Sequence, residues 1–198
     1  MDAITLLKKD HRTVEDLFKR FEKFGPRAKK GKQETVERIV KELAIHAAIE
    51  EAVLYPSIRA AVDDKKLDEL VLESLEEHHV VKWTLSELDG MSSDHERFDA
   101  KVSVLMESVR HHVAEEEKEL FPKLAKAFDK ERLAQMGDAL AEAKKMVPSH
   151  PHPRMPDEPP FNLLGAPGAA LVDKAFDAGR KLVRDQGRKV KQAVGARR

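Results

Sequence analysis

Two short segments of the chain place a histidine and a glutamate where both side chains can bind one metal ion. Glu50 follows His46 by four residues, and Glu116 follows His112 by four residues. This spacing is about one turn of an α-helix, so each imidazole and its carboxylate project from the same helix face. The sequence therefore predicts two metal-ligand pairs, each a His-x-x-x-Glu motif.

A lone histidine precedes each of these pairs. His11 follows Asp10, and His78 follows Glu77. In both places an aliphatic residue comes three positions after the histidine and a large apolar residue comes seven positions after it. The chain therefore contains one unit twice, a helix with a single histidine followed by a helix with a His-x-x-x-Glu motif.

The composition favours an all-α protein that binds metal through nitrogen and oxygen. Charged residues make up 36% of the 198 residues and aromatic residues only 5%, a balance typical of exposed helices around an aliphatic core. The chain has no cysteine, which excludes disulfides, iron-sulfur clusters and zinc-thiolate sites. This length suits one domain with a core and a tail.

The sequence shows neither a secretion signal nor a membrane span. Its N-terminus lacks a cationic leader followed by an apolar segment. No apolar run approaches the roughly 18 residues that a membrane-spanning helix needs. We therefore expect a soluble cytoplasmic protein.

Four amphipathic helices carry the histidines. Apolar residues recur with the helical period through each histidine, so every histidine lies in a stripe that faces a core. The first helix is predicted to end near Gly25, the third to run from after Lys66 to about Gly90, and residues 92–94 to cap the start of the fourth. Such helices with short connections predict an up-down-up-down four-helix bundle whose site is formed by inward residues.

The chain continues beyond this bundle, to which we assign residues 1–128. An accessory helix at 129–147 is expected to pack on the outside of the bundle, and a proline-rich linker at 148–168 is expected to be extended and mobile. The remaining histidines lie at a helix start and in the linker, where we expect exposed side chains. They are His95, His150 and His152.

The last segment, residues 169–198, is a basic amphipathic tail. It contains nine lysines and arginines against three aspartates, a net charge of +6. A basic tail on an acidic body points to an anionic partner, either a nucleic acid or a membrane surface, or to a tail that folds back onto its own domain. A flexible, solubilising extension is the alternative.

The whole set of histidines and glutamates indicates a metal centre. A single histidine on an apolar face is usually a core residue, but here four helices each direct one into the same interior. Burial of two unpaired carboxylates would also cost several kcal/mol each. Buried Glu-His ion pairs without metal would explain neither the duplication nor the lone histidines. The candidate ligands are His11, His46, Glu50, His78, His112 and Glu116.

The number and type of these ligands suit two ions of one kind. Six side chains are too many for one tetrahedral ion and suit two ions that share carboxylate bridges. Imidazole and carboxylate ligands without thiolates favour iron, with manganese or zinc as alternatives. The sequence therefore predicts a dinuclear, non-haem iron centre.

The order and spacing of these residues resemble the hemerythrin-like family, whose HHE cation-binding domain has a lone histidine and a His-x-x-x-Glu motif, each twice. The resemblance covers residues 3–127. It implies that His11 and His46 bind one iron and that His78 and His112 bind the other. It also implies that the two motif glutamates bridge both irons.

Two departures from the oxygen-carrying members argue against reversible oxygen storage. Those proteins have a further histidine four residues after the ligand of the third helix, where this chain has Lys82. They also have an aspartate where this chain has Glu116. The resemblance therefore implies a more open coordination sphere.

Four other residues near the motifs have open roles. His79 and His111 adjoin predicted ligands and could replace the missing family histidine, although the repeat favours their neighbours as ligands. Tyr55, the chain's one tyrosine, is expected to pack in the core; the sharper hypothesis places its phenol at the metals as a ligand, hydrogen-bond donor or one-electron donor. Trp83 is expected to pack against the bundle.

Three functions follow from this interpretation. The first is a di-iron protein that reacts with or senses dioxygen, peroxide or nitric oxide. The second is a di-iron enzyme with a catalase-like or ferroxidase-like activity. The third is an interaction module in which the metal centre controls the basic tail.

Overall fold

A computed structural model describes residues 1–61 and 63–152, and every regular element in this part of the chain is helical. The all-α prediction is therefore confirmed. The bundle consists of four long helices, Ala3–Glu22 (α1), Lys29–Ile49 (α2), Lys65–Leu88 (α4) and Phe98–Glu115 (α5). Helix α1 packs against α2, α2 against α4, and α4 against α5. The shorter helices are Tyr55–Ala61 (α3), Phe121–Ala127 (α6) and Lys130–Ala143 (α7).

Helices α2 and α5 each run into a π-helical turn that begins at a motif glutamate. The turns are Glu50–Leu54 and Glu116–Leu120. The amides of Tyr55 and Phe121 donate to the carbonyls of the two glutamates, five residues back in each case. A proline follows each of these amides. Proline has no N–H and its ring displaces the carbonyl four residues earlier, which disfavours a regular α-turn at this point.

The interior consists of two apolar clusters with a polar layer between them. One cluster includes Leu7, Tyr55 and Leu124 at the end of the bundle near α7. The other includes Phe18 and Leu85 and fills the opposite end. All six candidate ligands are buried in the layer that separates the clusters. The apolar packing on both sides therefore holds the helices around a polar site in the middle of the bundle.

Helix α7 packs over one end of the bundle and contributes to its core. The predicted helix is present, but its apolar side is not peripheral, because Leu133, Met136 and Leu140 are buried in the cluster near α1. Gly137 permits this contact, since a Cβ at this position would collide with the carbonyl oxygen of Met1. The backbone of α7 at this position therefore lies so close to the start of α1 that only glycine fits.

Two local predictions were wrong. Residues 92–94 do not cap α5, which begins at Phe98 without a side-chain cap; instead the amide of Ser93 donates to the side chain of Gln33 at 2.7 Å. This contact fastens the loop to α2. Trp83 does not pack against the bundle, because 52% of its surface is exposed. Trp83 follows the inward-facing His78 by five residues, which places it on the outer face of α4.

The described start of the linker lies against the bundle. His95 is exposed as predicted, but His150 and His152 are partly buried, and Nδ1 of His150 lies 2.9 Å from a carboxylate oxygen of Asp89. We call residues 148–152 the strap. The rest of the predicted linker and the basic tail lie outside the described residues. Among the helices of the described part, none is long and apolar enough to cross a bilayer.

The substitution Gly137→Ala should destabilise the protein. Alanine in a helix normally gains about 1 kcal/mol over glycine, but here its Cβ collides with backbone atoms of Met1 and Asp2. Overpacking of this kind costs about 1–3 kcal/mol, so we expect a lower midpoint in thermal and urea unfolding. Gly25→Ala is the control, because the space that its Cβ would enter is open, with no contact within 4 Å. Equal stability of the two variants would contradict this account.

Candidate metal centre

Four imidazoles point their Nε2 atoms at one another in the middle of the bundle. The Nε2 atoms of His11 and His46 are 3.2 Å apart, and those of His78 and His112 are 3.1 Å apart. One histidine comes from each long helix, and each side chain is buried. The histidines therefore form two pairs, and each pair combines a lone histidine with a motif histidine of the same repeat.

The two motif glutamates lie between the histidine pairs. Oε2 of Glu50 lies 3.2 Å from Nε2 of His46 and 3.4 Å from Nε2 of His78. Oε2 of Glu116 lies 3.2 Å from Nε2 of His11 and 3.7 Å from that of the fourth histidine. Each carboxylate thus contacts one histidine of each pair, in both cases through its Oε2 atom.

The outer nitrogen of each imidazole faces a further carboxylate. A carboxylate at 3.1 Å or less from Nδ1 favours the tautomer in which Nδ1 carries the proton and the lone pair of Nε2 is directed inward. The fourth contact, between His46 and Asp10, is longer than a hydrogen bond. The pairs are His11 with Glu117 (2.9 Å), His78 with Glu51 (3.1 Å), His112 with Glu77 (2.7 Å) and His46 with Asp10 (3.6 Å).

These atoms fit a pair of cations. Two Nε2 atoms that both carry lone pairs cannot hydrogen-bond to each other, yet their separation matches the about 3.0–3.4 Å between two nitrogens bound to one ion at about 2.1 Å. Among the described residues, neither oxygen of Glu50 nor Oε2 of Glu116 receives a hydrogen bond, although all three atoms are buried. Buried carboxylate oxygens without partners are costly, and a cation would remove that cost.

Comparisons with known proteins agree with this arrangement. A sequence model of the hemerythrin HHE cation-binding domain matches residues 2–124. The chain belongs to this family. A hemerythrin-like protein of Schizosaccharomyces pombe is 33% identical over 144 residues, which cover 73% of this chain and 70% of that protein. Metal binding is the property that defines the HHE family.

Two further similarities are more distant. A DNA nickase of Nostoc is 29% identical over 147 residues, which cover 74% of this chain and 40% of that protein. The crystal structure of an HHE domain-containing protein from Mycobacterium kansasii superposes with a TM-score of 0.61 at 20% identity, over 73% of this chain and 86% of that one. The latter shows that the helical fold is shared.

The outer carboxylates of this HHE domain were not predicted, although the sequence contained a signal for them. Asp10 and Glu77 immediately precede the lone histidines, and Glu51 and Glu117 immediately follow the motif glutamates. The first two face the motif histidine of their own repeat, whereas the other two face the lone histidine of the opposite repeat. The carboxylates therefore join the two halves of the site.

Two of the outer carboxylates have lysine partners. Nζ of Lys82 lies 2.9 Å from Glu51, and Nζ of Lys144 lies 2.6 Å from Asp10. Lys82, at the position of the family's additional histidine, is buried and contacts the outer carboxylate instead of the centre. The two histidines that adjoin the predicted ligands do not replace the family's additional histidine either. His79 and His111 are both exposed and lie outside the group of converging nitrogens.

Tyr55 fits both hypotheses that the sequence left open. Its ring is fully buried in the apolar cluster near α7, and its hydroxyl donates to Oε1 of Glu116 at 3.1 Å. Burial, together with the charges of Glu116 and Glu50, raises the pKa of this phenol well above its usual value. Tyr55 therefore keeps its proton and orients Glu116 as a hydrogen-bond donor.

The electrostatics of the glutamate pair favour a protonated Glu50 when no cation is bound. Burial, followed by the charge of Glu116, raises the pKa of Glu50 well above the usual value. Two carboxylates in one apolar interior cannot both ionise cheaply. Metal cations would reverse this effect, so ionisation of Glu50 and metal binding are coupled.

His46 should make the metal-free protein less stable in mild acid. Burial lowers its pKa from 6.5 to about 4, so between these values the unfolded state binds more protons at this position than the folded state. Its contribution is complete above pH 6.5 and is lost as the pH falls towards 4, by up to about 3 kcal/mol. Urea unfolding of metal-free protein across this range measures the slope.

His46→Gln is the comparison for this pH experiment, because glutamine keeps a polar side chain without a titrating nitrogen. Its stability should decline less steeply than that of the unmodified protein between pH 6.5 and pH 4. Identical slopes would show that His46 has an ordinary pKa in the folded protein. The midpoint of the His46 ring signal in an NMR titration provides a direct check.

Proposed function

We propose that this HHE domain holds a dinuclear non-haem iron centre that reacts with or senses dioxygen, peroxide or nitric oxide. His11 and His46 would hold one iron, and His78 and His112 the other. The single observation that carries the proposal is the position of Glu50 and Glu116, each of which contacts one histidine from each pair. Manganese and zinc are the alternative metals for this donor set.

The space next to the histidines supports a small ligand. A cavity of about 20 Å³ is lined by the four histidines and by apolar side chains, among them Val14, Leu43 and Val81. This volume exceeds the roughly 10–15 Å³ that one water molecule needs. Apart from the histidines, the walls give no hydrogen bonds to a polar substrate, so a diatomic molecule or peroxide fits this space better than a larger polar metabolite.

The protein's own groups would control how such a ligand is handled. Bound iron ions would supply open coordination positions and electrons. The outer carboxylates hold the imidazoles in one tautomer, Tyr55 positions Glu116 by hydrogen bonding, and the apolar walls exclude bulk water. A catalase-like or ferroxidase-like enzyme would use the same centre with turnover instead of stoichiometric binding.

Purified protein should contain two irons per chain, and Glu50→Gln should lower that number. Glutamine keeps the shape of the side chain but cannot bridge two cations as an anion. The metal-free variant should unfold at the same temperature as the unmodified metal-free protein or at a higher one, because a buried ionisable group has been removed. Metal analysis and thermal unfolding measure the two effects.

Glu119→Gln is the matched control, because Glu119 lies exposed in the second π-helical turn. It should leave iron content and absorption unchanged. Retention of two irons by Glu50→Gln would refute the bridging role. Addition of hydrogen peroxide to iron-loaded protein then separates the alternatives: steady oxygen release indicates an enzyme, and stoichiometric bleaching indicates a sensor or binder.

A second proposal concerns the basic tail, residues 169–198, which would bind nucleic acid. Its support is a net charge of +6 and the similarity of the chain to a protein named as a DNA nickase. Phosphate contacts release counterions, so binding should weaken steeply as salt rises. Truncation after residue 152 should abolish binding and leave iron content unchanged. Binding to anionic vesicles but not to DNA or RNA would replace this proposal with a membrane partner.

A further inference from the structure

A groove of about 550 Å³ opens to the surface between α1 and α5. The backbones of these two helices make fewer close approaches than those of the other neighbouring pairs. The groove walls include the apolar side chains Val14, Val109 and Val113, together with the ring of His11. At its rim, Arg110 donates to Glu15 and Glu22, so ion pairs connect the two helices at the edge of the groove.

The groove reaches the metal centre through one layer of side chains. The groove and the small cavity beside the four histidines share four side chains, those of His11, Val14, Val109 and Val113. Glu117, which accepts a hydrogen bond from His11, lies on the groove wall as well and is partly exposed. The same side chains thus face the groove on one side and the cavity on the other.

The duplicated sequence supplies an internal comparison for this groove. The cavity residues form equivalent pairs in the two repeats: Val14 and Val81 each follow a lone histidine by three residues, and Val113 and Ala47 each follow a motif histidine directly. The face of α2 and α4 is therefore the counterpart of the face of α1 and α5. Symmetry alone would give the protein two equivalent grooves.

The second groove is filled. On the face of α2 and α4 a space of only about 20 Å³ remains, and it is bounded by Glu51 and Lys82 and by four residues of the strap, Pro148, His150, Pro151 and His152. Lys82 occupies the position that corresponds to Glu15 in the open groove. The strap and a buried lysine thus close one of two equivalent faces.

We propose that small ligands reach the metal centre through the groove between α1 and α5, past Val14, Val109 and Val113, and that the strap and Lys82 close the equivalent route. The identity of the ligand rests on the function proposed above. The position of the route rests on the groove, the cavity and the four side chains that they share. The two histidine pairs are then unequal in access, because the groove opens beside His11.

Val14→Ala and Val81→Ala form a matched pair for a kinetic test. Both delete the same atoms at equivalent positions of the cavity wall, but only Val14 also lines the groove. With azide as the probe of iron-loaded protein, Val14→Ala should raise the association and dissociation rates severalfold and in parallel, so that Kd is unchanged. Val81→Ala enlarges the cavity to a similar extent without widening the groove, so its azide association rate should stay severalfold below that of Val14→Ala. Equal effects of the two substitutions would overturn the proposal.

A second test does not depend on bound metal. The chain has no cysteine, so Val113→Cys and Ala47→Cys each introduce a single thiol at equivalent positions. In folded, full-length metal-free protein, a small thiosulfonate should modify the thiol at 113 at least about tenfold faster than the thiol at 47, after normalisation to the rates in urea. Equal or reversed rates would show that the groove is not the open face.

The two tests also separate this inference from the function on which it rests. If the iron-loaded protein binds no azide, peroxide or nitric oxide, the proposed function fails, and thiol modification still decides which face is open. If the ligands bind but Val14→Ala and Val81→Ala behave alike, the function stands and the route is wrong.

Discussion

The structure depends on the burial of two carboxylates among four imidazoles, with apolar clusters above and below. An interior of this kind favours neither two negative charges nor four inward lone pairs unless cations compensate them. The rest of the bundle is arranged to hold these groups in place. Burial and the charge of Glu116 raise the pKa of Glu50, and bound metal would act in the opposite direction by favouring the ionised carboxylate.

Each inward group is held from two directions. The π-helical turns begin at the motif glutamates, so the turn of the helix widens where the carboxylate must reach both histidine pairs. The outer carboxylates fix the imidazoles from behind, and two of them bind the lone histidine of the opposite repeat. Displacement of one helix would therefore disturb ligands of both pairs. These contacts would orient the imidazoles before any ion binds.

The helical period explains which parts of this site could be predicted. A His-x-x-x-Glu spacing within an apolar stripe determines which face of a helix is buried, and this was sufficient to select His78 and His112 over their neighbours. The outer carboxylates could not be assigned, since a residue beside a ligand faces another helix and its partner depends on tertiary packing. The exposure of Trp83 and the position of the strap were misjudged for the same reason, because local pattern does not encode long-range contacts.

Duplication makes the centre nearly symmetric, and the differences between the repeats lie around it. The histidines and motif glutamates of the two repeats match in type, whereas Arg110 corresponds to Ala44 and Glu15 corresponds to Lys82. The bulky arginine spans α1 and α5 through its ion pairs, while the small alanine lies where the strap covers α2 and α4. Since equivalent ligand sets would give two ions the same intrinsic chemistry, the residues at the periphery are the ones that can make the two sides differ. Evolution can therefore change the reactivity of such a bundle through residues that control access to the centre or carry charge around it, while the histidines and glutamates stay the same.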